Sequence, residues 1–341
     1  MTAAPGRLMA AEIAEQPEAL ARLLDAGADA IREVAAAIAA SRPRFVLLAA
    51  RGTSDNAALY AKYLIEIGLG LPAGLASPST LTTYDAHPNL RDVLWLAISQ
   101  SGESPDLVQS TRMAAEGGAL TVAVTNAADS PLAGECALAV DVLAGPELAV
   151  AATKTYTSEL LALYLLIDAW GGGDGADARP LPELAAEVLR RDAVRTIAPR
   201  YRFVERLVVV SRGYGYATAR ETALKMMETS YLGAHAFSGA DLMHGPLAMI
   251  DEDRPVIAIV PEGAGGAALE PVLAGLRERA TPTCWSSAPL ASLLGPRPRC
   301  RCPPPTSGSR RCCRSSRCSS SRTRWRWLGA TTPTPPAGCA R

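Results

Sequence analysis

Residues Leu94-Trp95-Leu96-Ala97-Ile98 form an unbroken apolar run that stops at Ser99-Gln100-Ser101-Gly102-Glu103-Ser104, and Pro105 opens a helical pattern. An apolar run without alternation predicts a strand buried on both faces, as in parallel sheets. Proline suits the first position of a helix, where its missing N–H costs nothing. The motif recurs. Arg44-Phe45-Val46-Leu47-Leu48-Ala49-Ala50 runs into Arg51-Gly52-Thr53-Ser54-Asp55, and further runs lie at 120–125, 138–142, 206–211 and 256–260. Helical spacing is read at 8–40, 56–67, 105–116, 149–169, 182–197, 217–230 and from 261 to about 279. Strand and helix in alternation predict an α/β fold with parallel sheets covered on both faces. The halves echo one another: each has a strand, then Arg-Gly-Thr or Arg-Gly-Tyr, then a helix. This points to an internal duplication of roughly 130 residues, too long for a solenoid repeat.

The chain has 341 residues, and at about 150 residues per domain that length predicts two domains. The expected division is an N-terminal helical segment at 1–24, a first domain at 25–170, a linker and helix at 171–195 opened by Gly171-Gly172-Gly173-Asp174-Gly175, and a second domain at 196–280. No apolar run reaches the ~18 residues of a membrane helix. The start carries Glu12, Glu15 and Glu18 and lacks the pattern of a signal peptide, so a cytoplasmic location is expected. Net charge is zero only because of the tail. Eleven of the 34 Lys and Arg residues, and none of the 34 Asp and Glu residues, lie between Thr281 and Arg341, which leaves −11 on residues 1–280. An acidic body argues against a nucleic-acid partner. Seven of the eight cysteines lie in the tail, and neither Cys300-x-Cys302 nor Cys312-Cys313 has zinc spacing. His87, His235 and His244 are isolated, so no metal is expected. No dinucleotide fingerprint or Walker loop is present, so no nucleotide cofactor is expected either.

In a doubly wound sheet, ligands bind at the carboxyl ends of the strands, where Gly52–Ser54 and Ser99–Ser104 fall. Backbone N–H groups and the helix dipole favour an anion there. Ser99, Ser101 and Ser104 add hydroxyl donors and Gln100 an amide, with no Lys or Arg in the cluster. The stretch reads either as a site for a small phosphate held by neutral donors or as an ordinary Ser-rich helix cap. In the second half, Glu221, Lys225 and Glu228 share one helix face. They read either as an exposed salt-bridged face or as acid/base machinery. His244, in Asp241-Leu242-Met243-His244-Gly245-Pro246-Leu247, either caps its loop or pairs with a Glu for proton transfer beside a carbonyl.

Taken together, Arg51-Gly52-Thr53-Ser54, Ser99–Ser104, Ala151-Ala152-Thr153-Lys154, Ala223-Leu224-Lys225-Met226-Met227-Glu228-Thr229-Ser230-Tyr231 and His244-Gly245-Pro246-Leu247 resemble the tandem SIS (sugar isomerase) family. So does the opening Glu12-Ile13-Ala14-Glu15-Gln16-Pro17. The resemblance implies two flavodoxin-like, three-layer αβα domains, no cofactor, and a homodimer sharing its active sites around a small sugar phosphate. It implies that Thr53, Ser54, Ser99, Gln100, Ser101 and Ser104 hold the phosphate. Glu228 would move a proton between C1 and C2, and Lys225 would assist at the sugar hydroxyls. Glu221 would stand one layer behind. His244, reaching in from a second subunit, would assist ring opening. Arg51 and Ala152 stand where the family's glucosamine-6-phosphate synthases have Cys and Ser, and Asp241 where they have Glu. No Cys follows Met1, so no N-terminal-nucleophile glutaminase is expected. These departures favour the amino-sugar phosphate deaminase/isomerase side of the family. A non-catalytic sugar-phosphate binder and an ammonia-dependent synthase are the alternatives.

Residues 281–341 form an Arg/Cys/Ser/Pro-rich tail that does not read as built to fold. It reads either as disordered or as a shifted frame in GC-rich DNA. Taken from the third codon base, 280–288 can encode an ordinary buried strand. In the same shifted frame, 328–341 can encode a segment resembling the family's C-terminal signature with its active-site lysine.

Overall fold

The computed structural model describes residues 6–278 except 192 and 252, together with the backbone of 283–286, all within one compact unit. The apolar runs become strands: β1 (Phe45–Ala49), β2 (Ala73–Leu75), β3 (Val93–Ser99), β4 (Leu120–Thr125) and β5 (Leu138–Asp141). They form one fully parallel sheet in the order β2-β1-β3-β4-β5, with Leu48 opposite Leu96 and Ala97 opposite Ala123. That order is the flavodoxin-like one, and its switch point lies between β1 and β3. Six of the seven β3 residues are buried because helices cover both faces.

The helices of this half are α1 (Arg7–Ala14), α2 (Gln16–Arg22), α3 (Ala28–Ser41), α4 (Thr53–Leu64), α5 (Pro78–Thr82), α6 (Pro105–Glu116), α7 (Pro131–Gly134) and α8 (Lys154–Trp170). The single helix expected at 8–40 is thus divided. Pro17 cannot continue the hydrogen-bond ladder of α1, and Leu23–Gly27 form a π turn. α8 begins at Lys154 rather than 149, because the Glu147 carboxylate accepts the N–H groups of Thr153 and Lys154 and sets the start there.

After α9 (Leu181–Leu189) and α10 (Ala193–Ile197), the second half repeats the plan. β6 (Arg206–Ser211), β7 (Gly233–Ser238), β8 (Val256–Val260) and β9 (Thr283–Ser286) pair in parallel as β7-β6-β8-β9, the same order as the first four strands of the first sheet. α11 (Tyr214–Ser230) covers one face, where Leu207, Val209, Ala219 and Ala223 pack together. α12 (Gly239–Met243) and α14 (Glu270–Arg277), with the short α13 (Ala264–Ala267) between them in sequence, bring Leu242, Leu273 and Leu276 onto Val208 and Val210 of the other face. The duplication extends to single dihedrals. Gly52, before α4, sits at φ 59°, ψ −128°, and Gly213, before α11, at φ 60°, ψ −134°. Only glycine occupies that region cheaply, and it lets the chain turn from strand to helix within a few residues.

β2 and β7 lie at sheet edges and were not expected from the sequence, since neither carries an apolar run. Thr283–Ser286, part of the stretch read as not built to fold, forms β9; residues 287–341 of the tail lie outside the described residues. Among the described residues no helix is long and apolar enough to cross a membrane.

Candidate active site

Two loops meet at the switch point. After β1 the chain turns at Gly52 into α4, leaving the first N–H groups of that helix open. After β3 it passes through Gln100–Glu103 into α6, whose N-cap is Ser104. The serine loop is tied down internally. Ser99 Oγ accepts from Gly102 N at 3.1 Å, Ser101 Oγ accepts from Glu103 N at 3.3 Å, and the Gln100 carbonyl accepts from Asn126 N at 3.1 Å. Ser99 is buried, whereas Gln100, Ser101 and Ser104 are half-buried at the mouth. The Ser104 hydroxyl does not cap its own helix. The cluster is not purely neutral, since the Arg51 guanidinium crosses from the first loop to pair with Asp106 in the first turn of α6.

The second half contributes one helix. α11 packs antiparallel on α4, so that Tyr214 meets Tyr63 at one end (ring centroids 6.1 Å apart) and Lys225 meets Thr53 at the other. Lys225 Nζ lies 3.0 Å from Thr53 Oγ1, 2.6 Å from Glu228 Oε2 and 3.2 Å from Glu221 Oε1. Glu221 is buried and accepts from Thr53 Oγ1 at 3.1 Å and Asn56 Nδ2 at 2.8 Å. The Glu221, Lys225 and Glu228 face is therefore more than a solvated salt-bridged stripe. It is locked onto the N-terminus of α4, and Glu228 faces solvent beside the loop that follows β1.

Two placements emerge only in the tertiary structure. The Ser54 hydroxyl donates at 2.8 Å to Glu159 Oε1 on α8, and both residues are buried. His244 is exposed and follows α12, on the sheet face opposite α11, so these elements do not bring it to Glu228 within one chain. Asn56 and Glu159 were missed by the sequence reading. Asn56 meets Glu221 of the second half and Glu159 meets Ser54 of the first, and nothing in the local spacing announces either contact. Burial pushes the Glu159 carboxyl up to about 8, against the opposing hydrogen bond from Ser54 and with help from Glu221 and Glu147. Among the described residues no cluster of His, Cys, Asp or Glu is arranged to hold a metal ion.

A latch supports the site from outside. Glu12 accepts the N–H groups of Leu148 and Ala149, and Glu15 pairs at 2.5 Å with Lys154, which is 1% exposed. The N-terminal helices thereby hold the loop that leads into α8.

Comparison with known proteins agrees with this layout. The SIS domain profile matches residues 41–169 and 202–279. The glutamine–fructose-6-phosphate aminotransferase of Thermotoga maritima is 38% identical over 222 residues, 62% of this chain and 36% of its own length. The chain spans well under half of such relatives, whose remaining length has no counterpart in the match. A structure from Silicibacter pomeroyi, provisionally classed as a phosphosugar isomerase, is 41% identical with a TM-score of 0.76, covering 81% of this chain and 85% of that one. The C-terminal domain of glucosamine-fructose-6-phosphate aminotransferase from Francisella tularensis is 27% identical with a TM-score of 0.70, covering 82% and 83%.

Proposed function

Because this chain belongs to the SIS domain family, we propose that it is an amino-sugar phosphate deaminase/isomerase converting glucosamine 6-phosphate to fructose 6-phosphate and ammonia. The observation that carries this reading is the contact of Lys225 with Glu228, Glu221 and Thr53. It sets a solvent-facing carboxylate beside a helix N-terminus suited to a phosphate, and phosphate binding alone needs no such base. In the reaction Glu228 takes the proton from C2 of the open-chain aldehyde, forming an enolamine. Return of a proton to C1 leaves an imine at C2, and water hydrolyses it to the ketone and ammonia. The backbone N–H groups at Gly52–Ser54 and the donors of Ser99–Ser104 hold the phosphate. His244 reaches the sugar from a second copy of the chain, which accounts for its exposed position opposite α11. Arg51, Ala152 and Asp241, which stand where the family's synthases carry other residues, favour deamination.

Run backwards, the same chemistry is ammonia-dependent synthesis, and the name carried by the 38% identical relative favours that direction. Ammonia release from glucosamine 6-phosphate, and its uptake with fructose 6-phosphate, distinguish the two. Glu228→Gln is expected to lower kcat about 10²–10⁴-fold with KM little changed. A variant as active as wild type refutes the assignment of Glu228 as the base. Absence of turnover in both directions, with sugar phosphate still bound, marks a non-catalytic binder.

A further inference from the structure

We propose that Glu159 is a positioning residue for phosphate binding. Through the Ser54 hydroxyl, it decides whether that hydroxyl offers its hydrogen to a bound phosphate. The proposal rests on the reading of Gly52–Ser54 and Ser99–Ser104 as the phosphate site.

The geometry is a buried contact between two helices. Ser54 is the second residue of α4 and is 5% exposed, while Glu159 lies on α8 and is 1% exposed. Their oxygens are 2.8 Å apart. Glu159 Oε2 is buried with no partner among the described residues. The charged and titratable groups around Glu159 are committed elsewhere. From α11, Glu221 is held by Thr53, Asn56 and Lys225. From the loop before α8, Glu147 Oε1 takes the N–H groups of Thr153 and Lys154. Lys154 pairs with Glu15, and Lys225 also pairs with Glu228. Tyr156, on the same helix, is itself pushed upward by burial and holds no charge near neutrality. No cation among the described residues pairs with Glu159.

A carboxyl in this setting has two forms with opposite effects. The neutral acid carries its own proton into the 2.8 Å contact and donates it to Ser54 Oγ. That releases the Ser54 hydrogen for an acceptor at the helix N-terminus. The ionised carboxylate is acceptor-only. It draws the Ser54 hydrogen inward and places a negative charge behind the bound phosphate. Burial raises the Glu159 carboxyl to about 8, so the neutral, binding-competent form prevails below pH 8 and is lost as pH rises through it. Apparent affinity scales with the competent fraction. About nine-tenths is competent at pH 7 and about one-tenth at pH 9, so affinity is expected to fall about tenfold. A phosphate monoester has a second pKa of about 6, so its own charge changes little over this range.

The test is calorimetric titration between pH 7 and pH 9 with glucitol 6-phosphate, a monoester that has no carbonyl to isomerise. Wild type is expected to lose about tenfold in affinity. Glu159→Gln is expected to change less than about twofold across the same range, since it cannot ionise. Ser54→Ala is expected to bind more weakly than wild type at pH 7 and to be equally flat. A flat wild-type profile overturns the proposal and leaves the phosphate site standing. No binding by wild type at pH 7 overturns both. A wild-type slope that survives in Glu159→Gln overturns the role of Glu159. Should that variant not fold, Ser54→Ala interrogates the same contact, and a tenfold slope surviving in it is equally fatal.

Discussion

Gly102 offers the sharpest test of how the serine loop is held. It is buried, with φ +63°. A Cβ added there would lie 2.2 Å from Ser130 Oγ, 2.5 Å from Ser130 Cβ and 3.3 Å from Thr125 Oγ1. Two costs follow from Gly102→Ala. The left-handed backbone costs an alanine about 1–2 kcal/mol. Displacing Ser130 adds about 1–3 kcal/mol of overpacking strain. Ser130 also caps α7, its Oγ accepting from Ala133 N at 3.4 Å, so moving it forfeits up to about 1 kcal/mol more. The sum, about 2–6 kcal/mol, is a large share of a stability of about 5–15 kcal/mol. Ser130→Gly removes both clashing atoms and leaves the backbone cost, so the double variant separates the two terms. Urea unfolding of the single variants and the double variant is expected to give a coupling of at least about 1 kcal/mol, with the pair less destabilised than the sum. Additivity within about 0.5 kcal/mol would refute the steric argument. A Gly102→Ala cost under about 1 kcal/mol would refute the backbone argument as well. The surviving folded Gly102→Ala protein is expected to bind inorganic phosphate at least about tenfold more weakly, a difference of 1.4 kcal/mol. Gly102 N and O anchor the loop to Ser99 and Leu132.

Two further outcomes are expected. Glu15→Ala strands the buried Lys154 ammonium and should cost about 2 kcal/mol in chemical denaturation. That is below the 3–5 kcal/mol of a fully enclosed pair because Glu15 is half exposed. Lys154→Met should cost less, since it removes the buried charge and leaves only the half-exposed Glu15 without its partner, and the reverse ranking would rule out the ion pair as the latch. Sequencing the gene across codons 270–290 should reveal an inserted or missing base if the tail is read out of frame. An intact frame with the codons as translated would end that reading. β9 forms at 283–286, inside the span where the shifted frame encodes a buried strand.

Much of the architecture was legible in the chain. The runs at 44–50, 92–98, 120–125, 138–142, 206–211 and 256–260 carry strand identity in composition alone, because a strand covered on both faces needs apolar residues at every position. The edge strands β2 and β7 were not legible. Ala73–Leu75 has three residues, and Gly233–Ser238 alternates small residues with His235 and Phe237. One face of an edge strand is only partly covered, so its sequence is only weakly constrained. A helix start shifted by several residues where a side chain in the preceding loop sets the end, as Glu147 does for α8.

The residue types of the candidate site, and the strand ends on which they sit, were determined by sequence alone, since a serine loop after a buried strand and a carboxylate–lysine helix face are local patterns. Which of those side chains meet was decided only by the packing of α4 on α11 and of α4 on α8. That packing joined Thr53 to Lys225 across 172 positions and Ser54 to a carboxyl 105 positions away. Periodicity within one helix says which face is shared, but it carries no information about the helix that will lie against that face. The hydrogen bonds that orient Thr53, Asn56 and Glu221 cross between the halves, whereas that of Ser54 lies within the first.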